Sequence, residues 1–284
     1  FGDQQIFLPH VYRWCRRRRI PFVAYVGTAH SLDSNFKSKV MNALFAAGTL
    51  RIYKKNPVLA KTSAAKEELR QLGVPHAVIA PVGLDTAVLK KNIPADEKMR
   101  LRKEHGFEAD DVILCNVSRL SWEKRPLELI DLFLQVKGKK KFKLIIVGNG
   151  PLEEELNEKI RKNGLEKEVK IYPNVPYEKM WEIYEMSDYY LNMNKGEIFG
   201  MAIMEAVYYK TSVAAIRALG PSVTLKDMKG HKLCENDDEM AEWITGPYPS
   251  EKDLQESSEK MASTFTWDRC ADAFLQASSE KSSR

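Results

Sequence analysis

The sequence predicts an α/β fold with two domains, each built on a doubly wound parallel sheet. Short runs rich in β-branched residues alternate with amphipathic stretches of roughly 10–15 residues, the pattern that parallel sheets with crossover helices produce. The length of 284 residues is sufficient for two domains. No apolar run approaches the roughly 18 residues that a membrane-spanning helix needs, which excludes an integral membrane protein.

The elements predicted for the first domain follow from its apolar periodicity. Residues 21–26 form an apolar run that stops at Gly27, as a buried strand does. The predicted order is strand 21–26, helix 36–47, strand 50–53, helix 64–72 and strand 77–81. Asn92 and Pro94 then break any regular element, so we place the domain boundary at residue 92.

The second domain, residues 93–264, repeats the alternation with longer elements. Pro126 stands where a helix is expected to begin, a position that proline favours because its missing N–H is not needed there. The predicted order is helix 96–105, strand 112–117, helix 126–136, strand 143–147, helix 152–163, strand 169–172, helix 177–187, strand 189–193, helix 200–209 and strand 212–215.

The charge of the chain is unevenly distributed. Against a formal net charge of +5 for the whole chain, the first 100 residues carry 17 basic and 7 acidic residues, a balance of +10. This asymmetry indicates that the first domain faces an anionic partner, although a basic solvated surface would have the same composition. The four cysteines show no Cys-x-x-Cys spacing, which argues against disulfides and structural zinc and predicts a reducing, cytoplasmic location.

Four consecutive arginines end a predicted helix beside Trp14; they are Arg16, Arg17, Arg18 and Arg19. Cations at a helix C-terminus stabilise it by about 0.3–1 kcal/mol, so a structural role is sufficient to explain them. Alternatively, they form a basic patch that docks the first domain on anionic lipid, at the inner face of the membrane. Nucleic-acid binding is not expected, because no aromatic platform or binding motif accompanies the charge.

Two turns that follow predicted strands are candidates for phosphate binding, because parallel sheets bind ligands at the carboxyl ends of their strands. Arg119 and Lys124 together suit the two phosphates of one diphosphate, although an arginine at a strand end is often only a surface ion-pair partner. Gly148 begins a Gly-x-Gly turn. A dinucleotide fingerprint would need a further glycine where Glu153 stands, so a tight turn is the better interpretation.

Glu197 and Glu205 are separated by seven residues. If this segment is helical, both carboxylates lie on one side, up to about 12 Å apart along the axis. Backbone amides at a helix start between them would bind an anion; the residues concerned are Phe199, Gly200, Met201 and Ala202. A diphosphate with a hydroxyl-rich ring at each end fits this layout. Glu205 stands in an apolar stretch, where an idle carboxylate is costly, which favours a function over a surface charge.

Five segments match, in order, the motifs of one enzyme family. They are 79–85 (the family's "pnGvD" segment), 117–124 ("GRL…eKg"), 147–152 ("vGdGp"), 197–205 (E-x7-E) and 265–267 (the closing "fsW"). Together they resemble family 4 of the retaining, nucleotide-sugar-dependent glycosyltransferases, which have the two-domain GT-B architecture. The resemblance implies that residues 265–284 cross back to the first domain, residues 1–92. It also implies that this first domain is incomplete, because the family's first strands and glycine-rich loop have no counterpart before Phe1.

The resemblance implies roles for matching residues. Arg119 and Lys124 would bind the donor diphosphate and stabilise the leaving group, while Glu197 would contact the transferred sugar and Glu205 the ribose hydroxyls. The other implied donor-binding residues are Phe199, Gly200, Met201, Ala202, Asn174, Val175, Met180, Gly148 and His30. The resemblance implies front-face displacement, in which the acceptor attacks directly and an oxygen of the leaving phosphate helps to deprotonate it, so no protein nucleophile is required. Positioning and electrostatics then account for the rate.

The sequence departs from the family pattern at some positions. The family's Gly-Gly-x-x-Glu is replaced by residues 219–223, which lack the glutamate. For His30, a loop position without catalytic duty is nearly as good an explanation as a donor-sugar contact. No Asp-x-Asp occurs, so the carboxylate pair that holds Mg²⁺ or Mn²⁺ on a nucleotide sugar is missing, and we expect neither a metal nor another cofactor.

The resemblance implies transfer of a sugar from a UDP- or GDP-sugar to a cell-envelope, polysaccharide or lipid-linked acceptor. A nucleotide-sugar epimerase or phosphorylase of the same architecture is an alternative, but the ordered set of Arg119, Lys124, Glu197 and Glu205 favours transfer. A second alternative is a catalytically idle sugar-nucleotide-binding or scaffold subunit. The incomplete first domain and the altered loop at residues 219–223 favour this alternative.

Overall fold

A computed structural model describes residues 7–27, 40 and 43–282 of the chain. The chain divides into two compact units. The first, which we call the N-terminal unit, comprises Phe1–Gly83 and Phe265–Arg284, and the second, the C-terminal unit, comprises Leu84–Thr264. No helix in the described part of the chain combines the length and the apolar character needed to cross a lipid bilayer.

The N-terminal unit contains a three-stranded parallel sheet in the order β1-β2-β3. Its strands are β1 (Ala24–Val26), β2 (Val58–Ala60) and β3 (Val78–Ile79), and its described helices are Leu8–Arg17, Leu50–Tyr53, Ser63–Gln71 and Trp267–Ser282. The last helix packs on this sheet, because Cys270 and Ala277 form one buried cluster with Leu59 and Ala80. A side chain at Gly83 would overlap with the backbone of Trp267, so this close approach requires glycine.

One prediction for the N-terminal unit is wrong, and one strand was not predicted. Residues 50–53 form a helix that continues a π-helix over Phe45–Thr49, and not a strand. The apolar residues at 50, 52 and 53 fit one face of a helix as well as they fit a strand, so this short run does not identify its element. Strand β2 was not predicted because its apolar run of three residues is too short to identify a strand. The predicted helix 36–47 lies largely outside the described residues.

The C-terminal unit contains a six-stranded sheet in the order β6-β5-β4-β7-β8-β9, in which every pairing is parallel. Its strands are β4 (Val112–Val117), β5 (Phe142–Val147), β6 (Val169–Tyr172), β7 (Tyr189–Asn192), β8 (Ser212–Ile216) and β9 (Lys232–Cys234). Its α-helices are Glu97–Glu104, Pro126–Val136, Glu153–Lys162, Met180–Met186, Met201–Tyr208, Leu219–Thr224, Asp237–Thr245 and Glu251–Thr264. Short 3₁₀ helices cover Trp122–Lys124 and Tyr177–Lys179. The elements predicted between residues 96 and 215 agree with these to within one residue at each end, when the 3₁₀ helix Tyr177–Lys179 is counted together with the helix Met180–Met186 that follows it.

Both faces of the six-stranded sheet are covered. Leu144, Ile145 and Ile146 are consecutive in β5 and point to alternate faces, yet all three are fully buried. A parallel sheet reaches this state when crossover helices lie on both of its sides, which is the doubly wound arrangement that the apolar runs predicted.

The strand order of the C-terminal unit reverses between β4 and β7. Counted from β4 as the first strand of this sheet, the order is 3-2-1-4-5-6, in which crossovers from the first and fourth strands leave in opposite directions. A crevice therefore opens at the carboxyl ends of β4 and β7. This switch point is where an open α/β sheet binds its ligand.

The two units divide after Gly83, whereas the predicted boundary lies at residue 92. The segment between these positions is irregular, as its weak periodicity indicated, but it packs on the C-terminal unit. Leu89 is buried, and the backbone N–H of Lys90 donates to the hydroxyl of Tyr209 at 3.0 Å. Missing periodicity reveals an irregular segment without revealing the unit on which it packs.

Candidate functional site

Two glycines allow the loops after β4 and β5 to meet backbone to backbone. A Cβ at Gly148 would overlap with the carbonyl oxygen of Ser118, and a Cβ at Gly150 with that of Leu120. Gly148 also has a φ of +135°, which L-residues rarely adopt. Gly148, which the sequence suggested for donor binding, therefore shapes the loop that carries Arg119.

Arg119 and Lys124 lie beyond the carboxyl end of β4. Arg119 is exposed, and its guanidinium forms no ion pair or side-chain hydrogen bond with any residue that the structure describes. Lys124 ends a 3₁₀ helix, and its side chain is largely buried. An unpaired guanidinium at a strand end offers a planar fork of donors to an anion.

Glu197 lies in the loop after β7 and faces Lys124. The Nζ atom of Lys124 donates to Glu197 Oε2 at 2.7 Å, and Asn194 Nδ2 donates to the same oxygen at 3.1 Å. Burial by itself would raise the pKa of this carboxyl, but the hydrogen bond and charge of Lys124, with the amides of Asn194 and Asn192, lower it below its ordinary value. An ionised carboxylate therefore joins the loops after β4 and β7 at the switch point.

Gly200 is the N-cap of the helix Met201–Tyr208, and its φ of +85° favours glycine. Its carbonyl oxygen accepts the N–H groups of Ile203 and of the residue after it. The N–H groups of Met201 and Ala202, in the first turn, have no acceptor within the helix and are free to bind an anion. Phe199 is buried directly before this turn.

The segment between the two glutamates is only partly helical, which corrects the predicted geometry. The helix begins at Met201, so Glu197 belongs to the preceding loop. That loop is held by Gly220, whose N–H donates to Glu197 O at 2.8 Å and whose Cβ, if present, would lie 2.5 Å from Phe199 N. Residues 219–223, expected as a loop, belong to the helix Leu219–Thr224, and their glycine supports the glutamate loop.

Glu205 is buried, with 8% of its surface exposed, and two tyrosines face its carboxylate. Tyr184 Oη donates to Oε2 at 2.8 Å, and Tyr177 Oη lies 3.5 Å from Oε1. Burial raises the pKa of the Glu205 carboxyl, and the two phenol hydrogen bonds offset only part of this effect. No basic side chain in the described part of the chain forms an ion pair with Glu205.

The residues suggested for contact with the base follow β6. Asn174 is exposed, and its Oδ1 accepts a hydrogen bond from Asn149 Nδ2 at 2.9 Å, which links it to the loop after β5. Val175 is half-buried. Met180 is buried and lines the same small cavity as Glu205.

The structure therefore brings together Lys124 with Glu197 and Met180 with Glu205, all within the C-terminal unit. His30 lies outside the described residues. Among the residues that are described, no three His, Cys, Asp or Glu side chains are placed to hold a metal ion.

Sequence reasoning missed three contributors to the site: Asn194, Tyr177 and Tyr184. A polar residue at the end of an apolar strand gave a signal for Asn194. Nothing in the sequence distinguished Tyr184 from a core residue of its helix, because its ring is packed like one.

The basic segment of the N-terminal unit ends the helix Leu8–Arg17. Trp14 is half exposed, and the Arg18 guanidinium lies 4.5 Å from the centroid of its ring. Arg16 and Arg17 stand in the last turn, where they favour the helix dipole, and all four arginines at 16–19 are exposed. The geometry is compatible both with helix capping and with a basic docking surface.

Residues 97–261 match the family model described as "Glycosyl transferases group 1". The match covers more than half of the chain and most of the C-terminal unit. The chain belongs to this family. The glycosyltransferase family that the ordered motifs indicated is thereby confirmed.

Relatives share this assignment. The D-inositol 3-phosphate glycosyltransferase of Mycobacterium avium is 26% identical over 92% of this chain, which spans 65% of that protein. The amylovoran biosynthesis glycosyltransferase AmsD of Erwinia amylovora is 34% identical, over 39% of this chain and 31% of its own length. The Anabaena protein Alr3699/HepE, solved in complex with UDP and glucose, superposes with a TM-score of 0.78 at 19% identity, over 99% of this chain and 77% of its own. This likeness confirms the predicted α/β fold of GT-B type.

Proposed function

We propose that this member of the glycosyl transferases group 1 family is a retaining glycosyltransferase that uses a nucleoside-diphosphate sugar as donor. The observation that carries the proposal is the pair Lys124–Glu197 at the switch point. This pair joins a cation from the loop after β4 to a carboxylate from the loop after β7. The second loop leads directly into the helix Met201–Tyr208. The names of the relatives, which are glycosyltransferases, support the assignment.

In the proposed reaction, Arg119 and Lys124 bind the donor diphosphate together with the first amides of the helix Met201–Tyr208. The bond between the anomeric carbon and the phosphate oxygen breaks, and negative charge grows on the leaving phosphate. Fixed cations and amides stabilise that charge without reorganising. Glu197 accepts hydrogen bonds from the hydroxyls of the transferred sugar.

The acceptor oxygen attacks from the face that the phosphate leaves, so the anomeric configuration is retained. Its proton passes to an oxygen of the leaving phosphate, and the new glycosidic bond replaces the broken one. No protein nucleophile takes part. Catalysis then rests on positioning and electrostatics.

The nucleoside end of the donor is assigned to the second glutamate. Glu205 accepts hydrogen bonds from the ribose hydroxyls, while the backbone at Asn174 and Val175, with Met180, flanks the base. His30 is proposed as a contact to the donor sugar. The complex of Alr3699/HepE with UDP and glucose supports a nucleotide-sugar donor, for which we propose UDP or GDP as the nucleotide.

We propose that the reaction needs no metal ion. The sequence has no Asp-x-Asp pair to hold a cation on the diphosphate. Arg119, Lys124 and the helix amides supply the positive potential in its place.

We further propose a cytoplasmic protein that acts at the inner face of a membrane on a cell-envelope, polysaccharide or lipid-linked acceptor. The basic helix end at Arg16–Arg19 beside the exposed Trp14 would provide the contact with anionic lipid. The name of AmsD, an amylovoran biosynthesis glycosyltransferase, supports a polysaccharide acceptor.

The proposal is tested with the full chain by calorimetry against UDP, GDP and their sugars, followed by turnover with candidate acceptors. We expect micromolar binding of one nucleotide and a product whose anomeric configuration, read by NMR, equals that of the donor. Lys124→Met should lose binding and turnover, and Lys162→Met, an exposed lysine of the same unit, should lose neither. Inversion would contradict the retaining mechanism. Binding without transfer or donor hydrolysis would favour an idle sugar-nucleotide-binding subunit.

A further inference from the structure

The two oxygens of the Glu205 carboxylate are held unequally. Oε2 accepts a hydrogen bond from Tyr184 at 2.8 Å, and the ring of Tyr184 is fully buried and stacked on Tyr209 with an interplanar angle of 10°. Oε1 faces the hydroxyl of Tyr177 at 3.5 Å, the outer limit of a hydrogen bond. Tyr177 is half exposed. The hydrogen bond from Tyr184 is therefore well formed and its ring is fixed, whereas the contact from Tyr177 is weak.

The space beside Glu205 is narrow. Residues of the C-terminal unit, among them Tyr177, Tyr184 and Met180, line a cavity of only about 10 Å³ next to the carboxylate. Such a cavity has room for about one water molecule and none for a sugar ring. An external hydroxyl group that binds Oε1 therefore meets the hydroxyl of Tyr177, which already faces this oxygen.

Tyr177 is less constrained than Tyr184, the other tyrosine that faces Glu205. On another side the cavity is lined by residues 88–90, of which Leu89 is buried. Lys90 is held there, because its N–H donates to Tyr209 Oη at 3.0 Å and its Nζ lies 5.6 Å from the ring centroid of Trp181. Tyr184 is held by its burial and stacking. Tyr177 instead begins a 3₁₀ helix of three residues and turns half of its surface to solvent.

We propose that Tyr177 competes with the ribose for Glu205: its hydroxyl contacts Oε1 before a ligand binds and gives way to the adjacent hydroxyls of a ribose, while Tyr184 keeps Oε2 in place. The inference rests on the proposed function, which assigns the ribose to Glu205. A buried carboxylate oxygen without a hydrogen-bond partner is costly, so the contact with Tyr177 stabilises Glu205 before a ligand binds. The ligand class is a nucleoside diphosphate with both ribose hydroxyls.

The displacement has a consequence that depends on the ligand. A ribonucleoside diphosphate must break the contact between Tyr177 and Glu205 before it can use Oε1. A 2′,3′-dideoxy analogue has no hydroxyl for Oε1 and leaves the contact intact. Removing the Tyr177 hydroxyl should therefore help only the ribonucleotide.

Calorimetry on the full chain tests this with UDP, GDP and their 2′,3′-dideoxy forms. We expect Tyr177→Phe to tighten binding of the ribonucleotide by about two- to fivefold, the effect of one weak hydrogen bond, and to leave the dideoxy form unchanged. Tyr208→Phe is the matched control, because Tyr208 is a partly exposed tyrosine of the same unit that packs against Tyr209 and makes no hydrogen bond to Glu205. This control should change neither affinity.

The outcomes separate the two proposals. An equal change for both ligands, or weaker ribonucleotide binding in Tyr177→Phe, overturns the assignment of Tyr177. A wild-type preference for the ribonucleotide that Tyr177→Phe leaves unaltered also overturns it, but keeps the nucleotide site. No binding of any nucleotide, or no preference for the ribose hydroxyls, overturns the role proposed for Glu205 as well.

Discussion

The ammonium of Lys124 lies 2.7 Å from Glu197 Oε2 and links the loops after β4 and β7 across the switch point of the sheet. Lys124 neutralises a largely buried carboxylate and, in the proposed reaction, supplies charge to the diphosphate. Arg119 has no such partner in the described part of the chain. The two cations therefore differ in what their loss does to stability.

We expect Arg119→Ala and Lys124→Ala each to lower kcat/KM by about 10²-fold or more, because each removes a charge that stabilises the leaving phosphate. Only Lys124→Ala should also lower the melting temperature, because it leaves Glu197 buried without its cation. Steady-state kinetics and thermal unfolding measure the two effects. Adding Glu197→Gln to Lys124→Ala should restore the melting temperature but not the activity. Wild-type kinetics in either single variant would contradict the diphosphate assignment.

Glu205→Gln should have opposite effects on stability and on binding. Because burial raises the pKa of Glu205 in the folded protein, its ionised form destabilises the fold above that pKa, and this cost disappears as the pH falls through it. The variant should therefore melt higher than the wild type at neutral pH, with a difference that shrinks on acidification.

The same variant should bind the nucleotide about tenfold more weakly, because an amide is a poorer acceptor for ribose hydroxyls than a carboxylate. Calorimetric unfolding over a pH series and nucleotide titration measure the two effects. A lower melting temperature at neutral pH would show that the hydrogen bonds of Tyr184 and Tyr177 outweigh the cost of burying the charge.

Strand β5 and the segment 50–53 show what periodicity can and cannot predict. The apolar run in β5 is long enough to mean a strand covered on both faces, and the structure confirms it. The apolar pattern of the four residues at 50–53 fits both a helix and a strand. In the structure these residues continue the π-helix that precedes them. Similarly, the E-x7-E spacing identified Glu205 but not its tyrosine partners, because spacing along the chain carries no information on contacts across 21 to 28 residues.

Gly148→Ala should destabilise the protein far more than Gly164→Ala. Both glycines have positive φ, but a Cβ at Gly148 would overlap with the backbone of Ser118, whereas Gly164 has open space around it. We expect about 3 kcal/mol or more for Gly148→Ala and about 1 kcal/mol for Gly164→Ala, where only the backbone conformation is strained. Denaturant unfolding of the full chain compares them. Equal losses would mean that the loops after β4 and β5 separate at little cost.

Excess EDTA should leave turnover unchanged. Arg119, Lys124 and the helix start beside Gly200 are the groups proposed to balance the diphosphate charge, and a chelator removes none of them. The measurement is initial rate with and without EDTA, followed by addition of Mg²⁺ or Mn²⁺ in excess over the chelator. A complete loss of activity that either ion restores would contradict the proposal that no metal is needed.

The last prediction concerns Arg16–Arg19 and distinguishes lipid docking from helix capping. Each well-placed cation near an anionic surface contributes about 1 kcal/mol, and screening over a Debye length of about 8 Å at physiological salt weakens the attraction. We expect binding to anionic but not neutral vesicles, weaker at high salt and lost when all four arginines become Gln. Replacing four exposed lysines of the C-terminal unit removes the same charge and should preserve it; these are Lys139, Lys162, Lys167 and Lys226. Equal losses in both variants would show that net charge, and not this helix end, attracts the lipid. If the arginine variant melts lower while vesicle affinity is unchanged, the arginines act only as a helix cap.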